Sequence, residues 1–206
     1  MHVGGVFILN KLIENHLQSI KQKLEKLAGD EVPFEDVKLL ASNAIVAEYL
    51  PDEYFLRAGE TSRKVGFVTE GLFKLFYTDF EGKEYTKNFK SSGQFLGALA
   101  SLLLRVPSRL TIQALEKSSV LRFDYDHIIQ IAEHSLSWQR LLRKITEIEY
   151  LEKEQRESDL LFYDAKERYQ HFVKEHPDWD KRIQLQHIAS YLGMTPETLS
   201  RIRKNL

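Results

Sequence analysis

The 206-residue chain contains no cysteine. That excludes disulfides, cysteine-ligated iron–sulfur clusters and zinc fingers, and it fits a cytoplasmic protein. No apolar run reaches transmembrane length. Residues 3–9 are apolar but lack the basic flank and the small-residue cleavage site of an export signal, so no membrane partner is expected. A formal net charge of −1 shows no excess of either sign. There is no nucleophile elbow and no glycine-rich phosphate loop followed by lysine. The seven histidines show no paired helical spacing with carboxylates. No catalytic residues, no metal site and no enzymatic activity are therefore expected. What is present is an ordinary apolar content of 43%, enough to bury a real core.

The most informative stretch lies at the end of the chain. Leu185, Ile188, Ala189 and Leu192 form an i, i+3, i+4, i+7 stripe. Gly193 follows where a helix ends most easily in a left-handed conformation. Thr195 then offers a hydroxyl as N-cap, and Pro196 suits the first helical position. Leu199 and Ile202 return to the core, while the small Ala189 lets two helices cross closely. The pattern predicts a helix-turn-helix, the unit that places its second helix in the DNA major groove. Residues 181–206 hold five Lys/Arg against one acid, a local balance of +4, while the remainder carries 24 basic and 29 acidic residues. A basic patch on a near-neutral protein is the footprint of phosphate contact. An ordinary helical hairpin that docks on a protein partner, in a cytosolic small-ligand sensor, is the competing reading.

Upstream, an amphipathic helix is expected over residues 10–28, with Leu12, Ile13, Leu17, Ile20, Leu24 and Leu27 on its apolar side. Pro33 opens a second short helix, 34–40. From about 43 to 124 the texture changes to short β-like runs: 45–50, 54–57, 65–71, 72–77, 84–89, 109–115 and 119–123. An apolar helical piece, 95–104, interrupts them. Such strands, about 8–12 residues apart, predict an antiparallel barrel or jelly roll. Phe73, Phe76, Tyr77 and Phe89 alternate along strands and read as core. Asp124 can cap a short helix to 131, and a longer helix should run over 135–157. Its apolar positions Trp138, Leu141, Ile145 and Ile148 are spaced 3, 4 and 3, with Leu142 and Leu151 beside them. That seam either joins two copies or packs on its own barrel; a dimer interface of Trp138, Leu141, Leu142, Ile145 and Ile148 is the expectation adopted. A further helix, 159–175, stops before Pro177.

Together these parts resemble the superfamily of bacterial regulators that includes the cyclic AMP receptor protein and the fumarate-and-nitrate regulator (Crp/Fnr). The likeness covers residues 34–206 and is most specific over 193–204. Two sensor pieces also match: residues 67–76 with the hairpin glycine Gly82, and Gly93-Gln94-Phe95-Leu96-Gly97. The latter is similar to the family's Gly-Asp-x-x-Gly entry to its ligand cassette. The stretch from Pro107-Ser108-Arg109 to Gln113-Ala114-Leu115 resembles the strand that closes it. The implied fold is α+β: a cyclic-nucleotide-binding-like β-roll with flanking helices (1–134), a dimerisation helix (135–157) and a helix-turn-helix (158–206). That last unit is winged-helix-like, with a truncated wing because the sequence stops at Leu206.

Carried over by the resemblance, Glu197, Ser200 and Arg201 are the base-reading residues. An arginine can grip guanine O6 and N7, and a carboxylate can accept from cytosine N4. Thr195, Thr198, Arg203 and Lys204 are assigned to phosphates. Pro196 stands where some members place another base-reading arginine. The implied partners are double-stranded DNA, a second copy of the chain and RNA polymerase. The implied effector pocket comprises Gly97, Ala98, Leu99, Ser108 and Arg109, and would take a cyclic nucleotide or another small anion. Here the chain departs from the family. Ala98 replaces the glutamate that accepts from the ribose hydroxyl, and Ser108-Arg109 reverses the family's Arg-Ser phosphate pair. Arg105 lies close by as another basic partner. These departures argue against cyclic AMP, and the residues fix no cofactor.

Overall fold

The computed structural model describes residues 20–26, 29 and 31–205. Of the helix expected over 10–28, residues 20–26 are helical, and the rest of that expectation, like residues 3–9, lies outside the described residues.

Helix α1 (Phe34–Ser42) leads into eight strands: β1 (Ile45–Tyr49), β2 (Tyr54–Leu56), β3 (Lys64–Glu70), β4 (Leu72–Thr78), β5 (Glu84–Ser91), β6 (Phe95–Leu96), β7 (Thr111–Ala114) and β8 (Ser118–Asp124). They form two antiparallel four-stranded sheets, ordered β1-β8-β3-β6 and β2-β7-β4-β5. The expected roll is therefore present. Side-chain alternation explains how it is covered. In the first sheet Val68 and Val120 point into the roll, beside Tyr49, Phe55, Phe73 and Ile112. Their neighbours Phe67, Leu121 and Phe123 point outward, under α1 and the helices that follow.

The second sheet is covered on both faces. Phe73 and Leu75 face the roll interior, whereas Leu72 and Phe89 pack against the C-terminal helices. This explains the almost unbroken apolar run of β4, which a sheet with one wet face would not need. Gly71 links β3 to β4 at φ +101°, and a Cβ there would lie 2.7 Å from the Ser118 backbone. Only glycine fits that turn.

The remaining helices are α2 (Leu99–Leu104), α3 (Tyr125–His134), α4 (Leu136–Phe162), α5 (Ala165–Glu175), α6 (Trp179–Arg182), α7 (Leu185–Tyr191) and α8 (Pro196–Lys204). Asp124 caps α3 by accepting from the Asp126 and His127 amides, as expected. Three sequence expectations need correction. The apolar piece 95–104 begins as strand β6, because Phe95 and Leu96 pair with Phe67 and Gly66, and only its second half is helical. Helix α4 runs past residue 157 to Phe162, about 40 Å in all. The chain breaks at Tyr163 rather than before 159. There Asp164 starts α5 with a capping box, its carboxylate accepting from Glu167 N while Glu167 accepts from Asp164 N.

The dimer seam changes most. Trp138 and Leu141 are buried inside a single protomer, against Leu40, Phe123 and Ile131, and Leu142 and Ile145 pack on the same cluster. Trp138 and Leu141 therefore belong to the protomer's own core, whereas Leu142, Ile145 and Ile148, on the same side of the helix, are half-buried. What α4 leaves open is the opposite face, with Leu136, Tyr150 and Leu161 exposed. Among the described residues no helix is long and apolar enough to cross a membrane.

Candidate nucleic-acid interface

Helices α7 and α8 fold as the sequence predicts. Ile188, Ala189 and Leu192 are buried, and Leu185 packs beside them. Gly193 sits at φ +66°. The Met194 amide donates to Ala189 O (3.0 Å) and the Gly193 amide to Ser190 O (3.3 Å), which together make a Schellman ending. Thr195 then caps α8, its hydroxyl oxygen accepting from Thr198 N at 3.2 Å, and Pro196 opens the helix.

Leu199 is fully buried and Ile202 packs against the same cluster, so the opposite side of α8 faces solvent. Glu197, Arg201 and Lys204 are exposed and Ser200 is half-buried. Spacings of three and four place all four on one ridge. The Glu197 carboxyl is held below the usual carboxylate range by its own backbone N–H and by the Thr195 hydroxyl, so it stands ionised.

Two of the basic residues counted in this region are not free. Arg182 pairs with Glu116 of the roll. Arg203, expected on phosphate, instead pairs with Asp180 beneath the helix. The Thr198 hydroxyl lies 3.2 Å from that of Thr195, and the residue is half-buried. Among the described residues Lys181, Arg201 and Lys204 make no ion pair.

The whole unit rests on the second sheet. Phe89 lies edge-on to Trp179 (5.8 Å between centroids) and tilted against Tyr191 (5.5 Å). Thr86 N donates to Ser190 Oγ at 2.9 Å. Arg156 of α4 spans both sides, donating to Thr86 O (3.4 Å) and Tyr191 O (3.0 Å). Nearby, Lys90 is buried between Glu149 (2.6 Å) and Glu152 (3.0 Å) of α4. Beside them lies a cavity of 660 Å3, lined by β5, the end of α4, α5 and Tyr191. Burial pushes the Tyr191 phenol up to about 12. Burial also depresses the imidazoles of His176, which is stacked on Trp179, and His187. This inter-element junction had no sequence signal beyond the apolar character of Phe89.

Of the five residues assigned to an effector pocket, Gly97, Ala98 and Leu99 lie where β6 meets α2, and Ser108 and Arg109 lie in the loop before β7. Ala98 is buried and offers no acceptor, and Leu99 is about half exposed. Ser108 is buried, but its hydroxyl donates to Leu110 O and accepts from Leu110 N within its own loop. Arg109 is exposed. Gly97 lies close under Leu102. Arg63 and Arg105 both pair with Asp126.

Residues 46–135 match the sequence family described as the cyclic nucleotide-binding domain. Among solved structures, FixK2 from Bradyrhizobium japonicum superposes with a TM-score of 0.71 at 23% identity, covering 79% of this chain and 84% of that one. CLP, the c-di-GMP-responsive global regulator of Xanthomonas campestris, gives 0.66 at 18% identity, covering 84% and 91%. A Eubacterium rectale protein described as a transcriptional regulator of the crp/fnr family gives 0.68 at 16%, covering 84% and 83%. This chain has the Crp/Fnr regulator fold. No curated protein sequence gives a significant match. The Crp/Fnr architecture accounts for the order of parts found here: roll, long helix, helix-turn-helix. In this Crp/Fnr-fold chain the terminal unit lies folded down against the roll.

Proposed function

We propose that the protein is a homodimeric, sequence-specific DNA-binding transcription regulator. The observation that carries this reading is the ridge of Glu197, Ser200, Arg201 and Lys204, held to the outside by the burial of Leu199. Arg201 grips a guanine edge, Glu197 accepts from a cytosine amino group, and Ser200 touches a base edge or phosphate. Thr195, Thr198 and Lys204 sit where backbone phosphates pass.

Two copies meet along the exposed face of α4, where Leu136, Arg143, Tyr150 and Leu161 recur down one side. A twofold dimer of this kind reads an inverted repeat with half-sites about 34 Å apart. RNA polymerase is the further protein partner of such a regulator. The roll senses something other than cyclic AMP, because Ala98 cannot hold a ribose hydroxyl and Ser108 is already satisfied.

Selection of bound duplexes from a random pool, followed by gel-shift titration at two salt concentrations, tests the reading. An enriched inverted repeat bound more weakly at high salt is expected. Affinity for no duplex, or affinity indifferent to salt, would favour a C-terminal unit that docks on protein. Cyclic AMP should leave the thermal midpoint unchanged.

A further inference from the structure

Helix α8 carries arginines at 201 and 203, about 200° apart around its axis. Arg201 is exposed. Arg203 turns beneath the helix, where its guanidinium donates to the Asp180 carboxylate and to Asp180 O (3.4 Å). It lies 5.7 Å from the centre of the Tyr169 ring, and its Nε is buried without a partner. The Tyr169 hydroxyl donates to the same Asp180 oxygen at 2.9 Å. One carboxylate therefore ties α5, α6 and the last turn of α8 together.

We infer that Arg203 is a positioning residue for base reading and not a phosphate contact. This inference rests on the DNA-binding reading above. Leu199 and Ile202 hold α8 by apolar contact, which is non-directional and leaves rotation about the helix axis weakly determined. A charge-assisted hydrogen bond at the far end is directional and stops that rotation. The ridge of Glu197, Ser200 and Arg201 is thereby aimed, and base reading depends on such aim. Using the same guanidinium on a phosphate would leave Asp180 half-buried without its cation.

Binding to the selected duplex and to a scrambled one is measured across a salt series for Arg203→Ala, Asp180→Asn, Tyr169→Phe and Lys204→Ala. Arg203→Ala and Asp180→Asn should each weaken the specific complex about tenfold, leaving scrambled-duplex affinity and the salt slope unchanged. Their double variant should be no worse than either alone. Lys204→Ala should lower the slope of log K against log salt by about one and weaken both duplexes alike. If Arg203→Ala lowers the slope, or Asp180→Asn tightens binding by releasing the arginine, the inference is overturned. Should Arg203→Ala fail to fold, Asp180→Asn and Tyr169→Phe decide the matter, since both preserve size. Wild-type protein that binds no duplex would overturn the DNA reading itself, a distinct outcome from discrimination that survives in Asp180→Asn.

Discussion

At the scale of single residues, the outward ridge of α8 was legible because exposed helical positions follow the helix period. Once Leu199 is inward, Glu197, Ser200 and Arg201 must be outward. Arg203 was not legible, because its partner Asp180 lies 23 positions away and no local rule brings them together. Arg201→Ala should abolish preference between the selected and scrambled duplexes while the protein melts normally; preserved discrimination would mean that another face reads. The half-buried His176 and His187 give a pH dependence with a definite sign. Burial lowers the imidazole pKa of His176 and of His187 below the ordinary value of about 6.5. Above that value both states are neutral and nothing is lost. As pH falls through it, the unfolded chain takes up protons that the folded one refuses, so stability drops. The charges that act on His187 are those of Lys74, Glu84 and Asp52, and those that act on His176 are those of Glu175, Glu152 and Lys90. The thermal midpoint should decrease between pH 7.5 and 5.5, and His187→Gln should flatten that slope. A slope unchanged by the substitution would show that His187 protonates as freely folded as unfolded.

At the scale of elements, stops and starts were readable where a local motif defines them. Gly193, Thr195 and Pro196 set the turn between α7 and α8. Thr195→Ala removes the cap and should cost about 1 kcal/mol, seen as a lower urea midpoint with unchanged slope. Leu199→Ala should cost about 3 kcal/mol, because a fully buried leucine leaves a void. A loss under 1 kcal/mol would mean that α8 is not anchored as described. The break between α4 and α5 also had a local signal, the Asp164–Glu167 capping box, but the helical period continued through it. The seam in α4 shows the limit of periodicity. Spacing identified Trp138, Leu141 and Ile145 as an apolar side, but not whether a twin or their own roll covers it. That depends on where α1 and α3 pack, which is set by distant contacts.

At the scale of the whole molecule, the order of parts and the two-sheet roll were evident from strand spacing and turn residues. The docking of the helix-turn-helix onto the second sheet was not, because its contacts are sparse and long-range: Ser190 on Thr86, Trp179 on Phe89, Arg182 on Glu116. Arg156 is the strut common to all three units, and its guanidinium lies 5.0 Å from the centre of the Tyr191 ring. Arg156→Ala leaves two carbonyl oxygens without their donor, a loss of about 1–3 kcal/mol. Faster amide exchange in α7, with the roll unaffected, is the expected result; unaltered exchange there would remove Arg156 from this role.

The β5 margin of the second sheet carries a last consequence. Its outward amide and carbonyl at Thr86 are met by Ser190 and Arg156. Under the proposed function, movement of α7 and α8 away from the roll toward DNA would uncover that seam together with Phe89 and Leu72. A bare strand of this kind invites another strand to zip onto it. Any such excursion must therefore be brief or find fresh cover, and chains caught mid-swing should clump into β-rich aggregates that operator-saturated protein does not form.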